Sequence, residues 1–283
     1  MTIALGFHLE NGILLAADRQ VTQGDMKVGA GKIALWYDQD PSRDGYIRGK
    51  LAITGAGDVH CLSAVSLLFR EPFTKRTPPL TLDELQAEFE KILMSYYQEH
   101  IIPFGADGAD EPQFIVAAER GGQRRMWVIE SGVVVETRKP TAVGSGGIYA
   151  DELFQSGHAP DKTTDMVTAQ IIASYILFRV KQVAEGCGHD SDLEILTGEP
   201  NFGQFDHSGV RELEELFRRY SRTEGQRFHA VFGSRGDSSV GIDEASQELK
   251  QDLIYLLAEY WRAGFSPDML QAQRRSRRVP LNQ

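Results

Sequence analysis

Cysteine is scarce in this chain of 283 residues: Cys61 and Cys187 are the only two. That excludes a disulfide framework. The pair lacks CxxC spacing for zinc or redox work, so both read as isolated reduced thiols of a cytoplasmic protein. Long apolar runs are missing as well, with no window of about eighteen uninterrupted apolar residues to cross a bilayer, so no membrane partner is expected. A surplus of positive charge is also absent. Thirty Lys and Arg stand against 40 Asp and Glu, a formal net charge of −10. Phosphate neutralisation needs excess cations on one face, so the balance argues against a nucleic-acid partner. The first residues lack a basic segment followed by an apolar run and a small-residue cleavage site; residues 2–9 read as mature structure, not as a signal peptide. His189-Asp190 and Asp206-His207 are read as loop residues, and no His-x-x-x-His spacing accompanies them, so no metal and no cofactor is expected. Neither an internal repeat nor a low-complexity segment is found.

What is present is an ordinary globular composition, 41% hydrophobic and 25% charged, on a chain long enough to bury a substantial core. The first third reads as β structure. "TIALGFHL" (2–9) and "ILLAAD" (13–18) flank Asn11-Gly12, a two-residue hairpin signal, and "KIALWYD" (32–38) and "KLAITGAG" (50–57) follow. Asp58 reads as the N-cap of a helix carrying Val59, Leu62, Val65 and Phe69 at helical spacing. Thr81 and Glu84 form a capping box at the head of a second helix over 81–101. A meander over 113–120, 125–130 and 133–138 precedes the glycine loop "VGSGG" (143–147), helices around 148–156 and 164–184, and a last strand at 192–197. Hairpin-type links among the strands predict an α+β fold, a four-layer αββα sandwich of two antiparallel sheets flanked by helices. Residues 1–199 are expected to form that domain and residues 200–283 a mainly helical C-terminal extension. The extension holds a charged helix, a short strand before "RGD" (235–237, read as a turn), a helix over 243–263 and an arginine-rich solvated tail.

The ordered motifs carry a resemblance. "TIALGFHLENGILLAADRQVT" followed by "GKIALW" resembles the opening of proteasome β subunits and of the bacterial HslV-type peptidase, both N-terminal-nucleophile hydrolases. The shared pattern is an N-terminal Thr, a strand, a tight turn, a strand ending A-D-x-R/Q-x-T, and a lysine heading the next strand. "YIRGKLAITGAGDVHCLSAVSLLF" (46–69) resembles that family's strand, glycine turn and first long helix, and "TAVGSGGIYADELF" (141–154) its G-S-G loop opening a helix. The likeness covers roughly residues 2–198. Anbu-type bacterial subunits, which also carry longer C-termini, are the alternative relatives.

The resemblance implies a catalytic set of Thr2, Asp18, Lys32 and Ser145, with Gly55 or Gly57 as oxyanion donor. Lys27 is a second candidate for the lysine, because the loop to Lys32 is slightly short. The chemistry is coherent. A threonine hydroxyl needs a base, and a free amine on the same residue, with an ordinary pKa of about 7.7–8.0, lies within reach. A lysine ammonium disfavours protonation of that amine and stabilises negative charge on the hydroxyl oxygen, and an aspartate holds the lysine in place. A glycine N–H at the carbonyl oxygen supplies about 3–4 kcal/mol in related acyl transfers. All of it requires removal of Met1, which a small second residue permits. One family position departs. Where proteasome subunits carry R-D-A-x-S-G, this chain has "KQVAEG" (181–186), placing Gln182 and Glu185 as possible supports of the amine; a one-residue shift offers Ala184 and Cys187.

The expected activity is therefore hydrolysis of peptide or unfolded-protein substrates through an acyl-enzyme on Thr2. The resemblance also implies a homo-oligomer, as a ring or a helical assembly; an ATPase partner is not readable from the sequence. Two other readings stay open: a catalytically inactive assembly subunit on the same fold, motivated by Gln182 and Glu185, and a small-molecule amidase.

Overall fold

The structure is a computed structural model. It describes residues 2–23, 26–40, 42–43, 46–102, 112–184, 186–188, 190–197 and 207–221, with only the backbone at 21–28 and 219–221 where these fall within elements. The chain divides into two compact units, residues 1–215 and 216–283. The first holds every described strand. Of the second, only the last residues of α5 (His207–Ser221) are described. The expected strand before Arg235, the helix over 243–263 and the arginine-rich tail lie outside the described residues, as do Glu185, His189 and Asp206.

Strands β1 (Ala4–His8) and β2 (Ile13–Asp18) form the expected hairpin, with Ala4 opposite Ala17. The turn is not the expected two-residue Asn11-Gly12, since Leu9 donates to the Gly12 carbonyl at 2.8 Å and neither Asn11 nor Gly12 has positive φ. Every residue of β2 is buried, as a continuous apolar run at the centre of a covered sheet must be. β10 (Thr141–Val143) pairs with β1, and β11 (Ser191–Leu196) pairs with β2, giving the antiparallel order β10-β1-β2-β11. The second sheet runs β5 (Ala34–Gln39), β6 (Ile47–Ala56), β7 (Gln113–Arg120), β8 (Gln123–Glu130) and β9 (Val133–Glu136), again antiparallel throughout.

Side-chain size sorts the layers. Along β6, Leu51 and Ile53 face one core while Ala52 and Ala56 face another; along β7, Phe114 and Val116 alternate with Ile115 and Ala117. The small residues meet Ala4, Leu15 and Ala17 of the first sheet, so the sheets stack closely. The larger set meets helices α1 (Val59–Thr74) and α2 (Leu82–Tyr96), where Phe69 and Phe89 stack with centroids 4.2 Å apart and Trp127 abuts Phe89 edge-on. Helices α3 (Gly147–Gln155) and α4 (Met166–Val183) cover the first sheet, completing the αββα order predicted. Asp58 caps α1 through the His60 and Cys61 amides, and the Thr81–Glu84 capping box opens α2.

Three elements differ from expectation. Residues 20–23 and 26–29 form a small hairpin, β3 (Gln20–Gln23) with β4 (Met26–Gly29), where a loop was predicted; its polar sequence carries no alternation to betray it. β10 is a three-residue strand hidden in the approach to the glycine loop. His207 opens α5 and is not a loop residue. Among the described residues no helix is long and apolar enough to cross a membrane.

Candidate active site

The β1–β2 register builds the first half of the site. Ile3 and Asp18 lie opposite one another beyond the Ala4–Ala17 pair: the Ile3 amide donates to Asp18 Oδ1 at 2.9 Å and the Asp18 amide to the Ile3 carbonyl at 3.1 Å. Thr2 therefore arrives beside the Asp18 side chain, and its hydroxyl donates to Oδ1 at 2.8 Å. Lys32, from the segment between β4 and β5, donates through Nζ to Asp18 Oδ1 at 2.7 Å and to the Thr2 hydroxyl oxygen. Asp18 is fully buried and the Lys32 side chain only 6% exposed.

The β1–β10 pairing builds the second half by carrying the glycine loop past Thr2. Ser145 Oγ accepts from the Thr2 nitrogen at 3.2 Å, and the Gly146 amide donates to the Thr2 carbonyl at 3.1 Å. Gly144 has φ 94°, and a Cβ there would stand 2.5 Å from the Thr2 carbonyl oxygen. Only glycine permits this approach. Its own amide is held by Gln113 Oε1 at 2.8 Å.

The loop before β11 closes the far side of Asp18. Oδ2 accepts from the Gly188 amide at 2.8 Å and the Gln20 amide at 3.1 Å. Asp18 thus accepts five hydrogen bonds. Burial disfavours its charge, but the Lys32 ammonium and these donors outweigh that and hold the carboxyl below its ordinary range. Burial pulls Lys32 below the ordinary lysine value, and Asp18 restores only part of the loss. Burial, followed by the Asp18 charge, pushes the Cys187 thiol up to about 11, so it stands at neutral pH as an un-ionised thiol beside the pair.

The structure brings Thr2, Asp18, Lys32 and Ser145 together. It separates the two oxyanion candidates. Gly55 is buried in β6 opposite Phe114, and a Cβ there would lie 2.3 Å from the Gln113 carbonyl, so packing accounts for this glycine. Gly57 follows β6, exposed and at φ 109°, next to Ala56, whose Cβ lies 2.8 Å from where a Gly144 Cβ would stand. Gln182 lies exposed on the last turn of α4. Lys27 lies on β4, opposite Thr22 of β3. Sequence reasoning missed Gln113 and Gly188: a lone glutamine at a strand start and a glycine after "EGC" carry no local signal, and only the tertiary fold gives them a role. Among the described residues no group of three or more His, Cys, Asp or Glu could hold a metal ion.

No protein-family model matches this sequence, and no curated protein does. Solved structures do. Anbu, an ancestral β-subunit, from Yersinia bercovieri superposes with a TM-score of 0.61 at 16% identity, over 84% of this chain and 100% of that one. The Gly-1 mutant of Anbu from Hyphomicrobium sp. strain MC1 gives 0.59 at 18%, over 84% and 100%. Anbu from Pseudomonas aeruginosa, solved as a helical assembly, gives 0.60 at 12%, over 84% and 99%. These likenesses bear on the Anbu-type side of the resemblance and lend nothing to an HslV-type assignment in particular. With two antiparallel sheets between two helical layers, the chain has the proteasome-like sandwich fold of the Anbu subunits.

Proposed function

We propose that the chain is a threonine peptidase of the proteasome-like kind, with Thr2 as nucleophile once Met1 is removed. The observation that carries the reading is the convergence of the Lys32 ammonium and the Asp18 carboxylate on the Thr2 hydroxyl. The freed Thr2 amine takes the hydroxyl proton, and Lys32 stabilises the developing alkoxide. Oγ1 attacks the peptide carbonyl carbon, and the Gly57 amide faces the oxyanion. The peptide C–N bond then breaks as the leaving nitrogen takes the proton, leaving an ester on Thr2. Water, activated by the same amine, cleaves that ester. Ser145 holds the nitrogen and Asp18 holds Lys32 charged. The substrate is a peptide or unfolded protein, and the working form is a homo-oligomer in the cytoplasm. The Pseudomonas aeruginosa Anbu structure is a helical assembly, which supports oligomerisation on this fold.

An inactive assembly subunit is the second reading. It is favoured by Gln182, exposed where the family places an aspartate that supports the amine. One experiment separates the two. Purified protein is treated with an electrophile that captures N-terminal threonine, and the adduct is mapped by mass spectrometry alongside Thr2→Ala and Ser145→Ala. Labelling at Thr2 in the wild type, abolished in Thr2→Ala and slowed about tenfold in Ser145→Ala, is expected. Retained Met1, or an unreactive Thr2, overturns the peptidase. Activity on capped peptides against simple amides tells peptidase from small-molecule amidase.

A further inference from the structure

Behind the site lies a second buried polar cluster that the chemistry above does not use. Lys181, on the last turn of α4, donates to Glu214 of α5 at 2.8 and 3.1 Å and to the Ser191 hydroxyl at 2.5 Å. The Ser191 hydroxyl in turn donates to Glu214 at 2.6 Å. The Lys181 and Glu214 side chains are 8% and 4% exposed. The cluster touches the first through the backbone: Ser191 pairs with Asp18 across the β2–β11 ladder, and Gly188, in the loop leading to Ser191, donates to Asp18. Charge connects them too. After burial has lowered Lys32 and Asp18 has partly restored it, Lys181 pulls it down further, and Lys181 also acts on Cys187.

A buried ammonium without a counter-charge is costly, and Glu214 supplies that charge from beyond the last strand. The groups around Lys181 include Glu214 from α5, Ser191 from β11, Cys187 from the α4–β11 loop, and Lys32, which itself holds Asp18. Without Glu214, Lys181 loses this buried counter-charge, and its pull on Lys32 is no longer offset by it.

We propose that Glu214 is a positioning residue for Lys32: by neutralising Lys181 it sets the charge of the Thr2 site. This rests on the peptidase reading only where it speaks of reaction; the effect on Lys32 itself does not. An unscreened unit charge at second-neighbour distance moves a titration by about half to one pH unit.

The test is competitive acetylation with acetic anhydride across pH, with mass spectrometry giving the titration midpoint of Lys32 in the full chain. Glu214→Gln is expected to lower that midpoint by about half to one unit, and Lys181→Met to raise it. The double variant Lys181→Met/Glu214→Gln returns it toward wild type, and Glu214→Asp leaves it in place. A merely structural role produces no such opposed signs. Equal midpoints in wild type and the double variant, with both single variants displaced oppositely, support the proposal; a wild-type midpoint in Glu214→Gln overturns it. Should Glu214→Gln fail to fold, the Lys181→Met and double-variant midpoints decide alone: the proposal falls if Lys181→Met leaves the midpoint unmoved. In the same proteins the acid limb of Thr2 labelling shifts to lower pH in Glu214→Gln. Absence of wild-type labelling sinks the peptidase reading while the Lys32 titration still judges Glu214.

Discussion

Asp18→Asn is the substitution that puts most of this architecture to work. It preserves shape and removes charge, so its cost can be worked from the five donors that Asp18 serves. An asparagine offers one acceptor edge and one NH2 edge. With its carbonyl toward Thr2, Ile3 and Lys32, the NH2 confronts the Gly188 and Gln20 amides, and each unmet donor costs about 1–3 kcal/mol. Turned around, it abandons the Ile3 amide and Lys32 instead. Lys32, with its side chain 6% exposed, also loses its counter-charge; breaking a buried pair costs about 3–5 kcal/mol, less whatever Lys32 recovers by releasing its proton. Two unmet amides and the broken pair come to about 5–11 kcal/mol before that relief, comparable to a typical total stability of about 5–15, so the variant is expected to be marginally stable at best. Urea denaturation at pH 7 measures it directly. The pH dependence supplies a second check. Asp18 is depressed in the folded chain below its unfolded value of 3.8, so its stabilisation is complete above that value and is lost as pH falls through the folded one. That acid limb is expected in the wild type and missing from Asp18→Asn. Lys32 is depressed below 10.5, so between its folded and unfolded values the unfolded chain binds more protons and stability rises with pH. In the variant, without Asp18 to restore Lys32, that rise begins at lower pH. A variant within about 1 kcal/mol of wild type, with an unchanged acid limb, would refute the argument.

Two further outcomes are expected. Gly144→Ala places a Cβ 2.5 Å from the Thr2 carbonyl oxygen and 2.8 Å from the Ala56 Cβ, at φ 94°; strain and overlap together cost about 3 kcal/mol or more, read as a lower denaturation midpoint. Because the displaced atom belongs to Thr2, electrophile labelling should also slow by about a hundredfold. Thr81→Ala removes a capping box at the far helical layer and should cost about 1 kcal/mol in the same denaturation assay, with labelling of Thr2 unchanged.

The sandwich was legible wherever the chain signals locally. Asn11-Gly12 flagged the first hairpin, although neither residue takes the positive φ of the tight turn that pair favours and His8–Ile13 is the last paired position. Asp58 and the Thr81–Glu84 box marked two helix starts, and 113–120 read as the first strand of a meander. What escaped notice was structure stabilised from elsewhere. β10 is three residues long and exists because β1 offers it an edge, and the β3–β4 hairpin has too little apolar alternation to stand out from a polar loop.

The site divides along the same line. Thr2 and Asp18 are brought together by one turn, so their separation in sequence carries the geometry, and Ser145 sits in a glycine loop whose spacing is itself a motif. Gly55 and Gly57 look equivalent in sequence but not in space: the first is flush against a neighbouring strand, the second turns the chain out at φ 109°. Gln113, Gly188 and Glu214 give no warning, each being one residue delivered by a distant element. Asp18 shows why that matters. Its donors come from the N-terminal segment, the Lys32 segment, its own strand end and the loop before β11, so no single motif contains them. A carboxylate can be fully buried there only after both neighbours of β2 have docked, since an unpaired charge in that position would not survive desolvation. The charged pair at Thr2 is therefore a product of completed sheet assembly, and perturbations of β11 or of the helices behind it reach the nucleophile through Asp18.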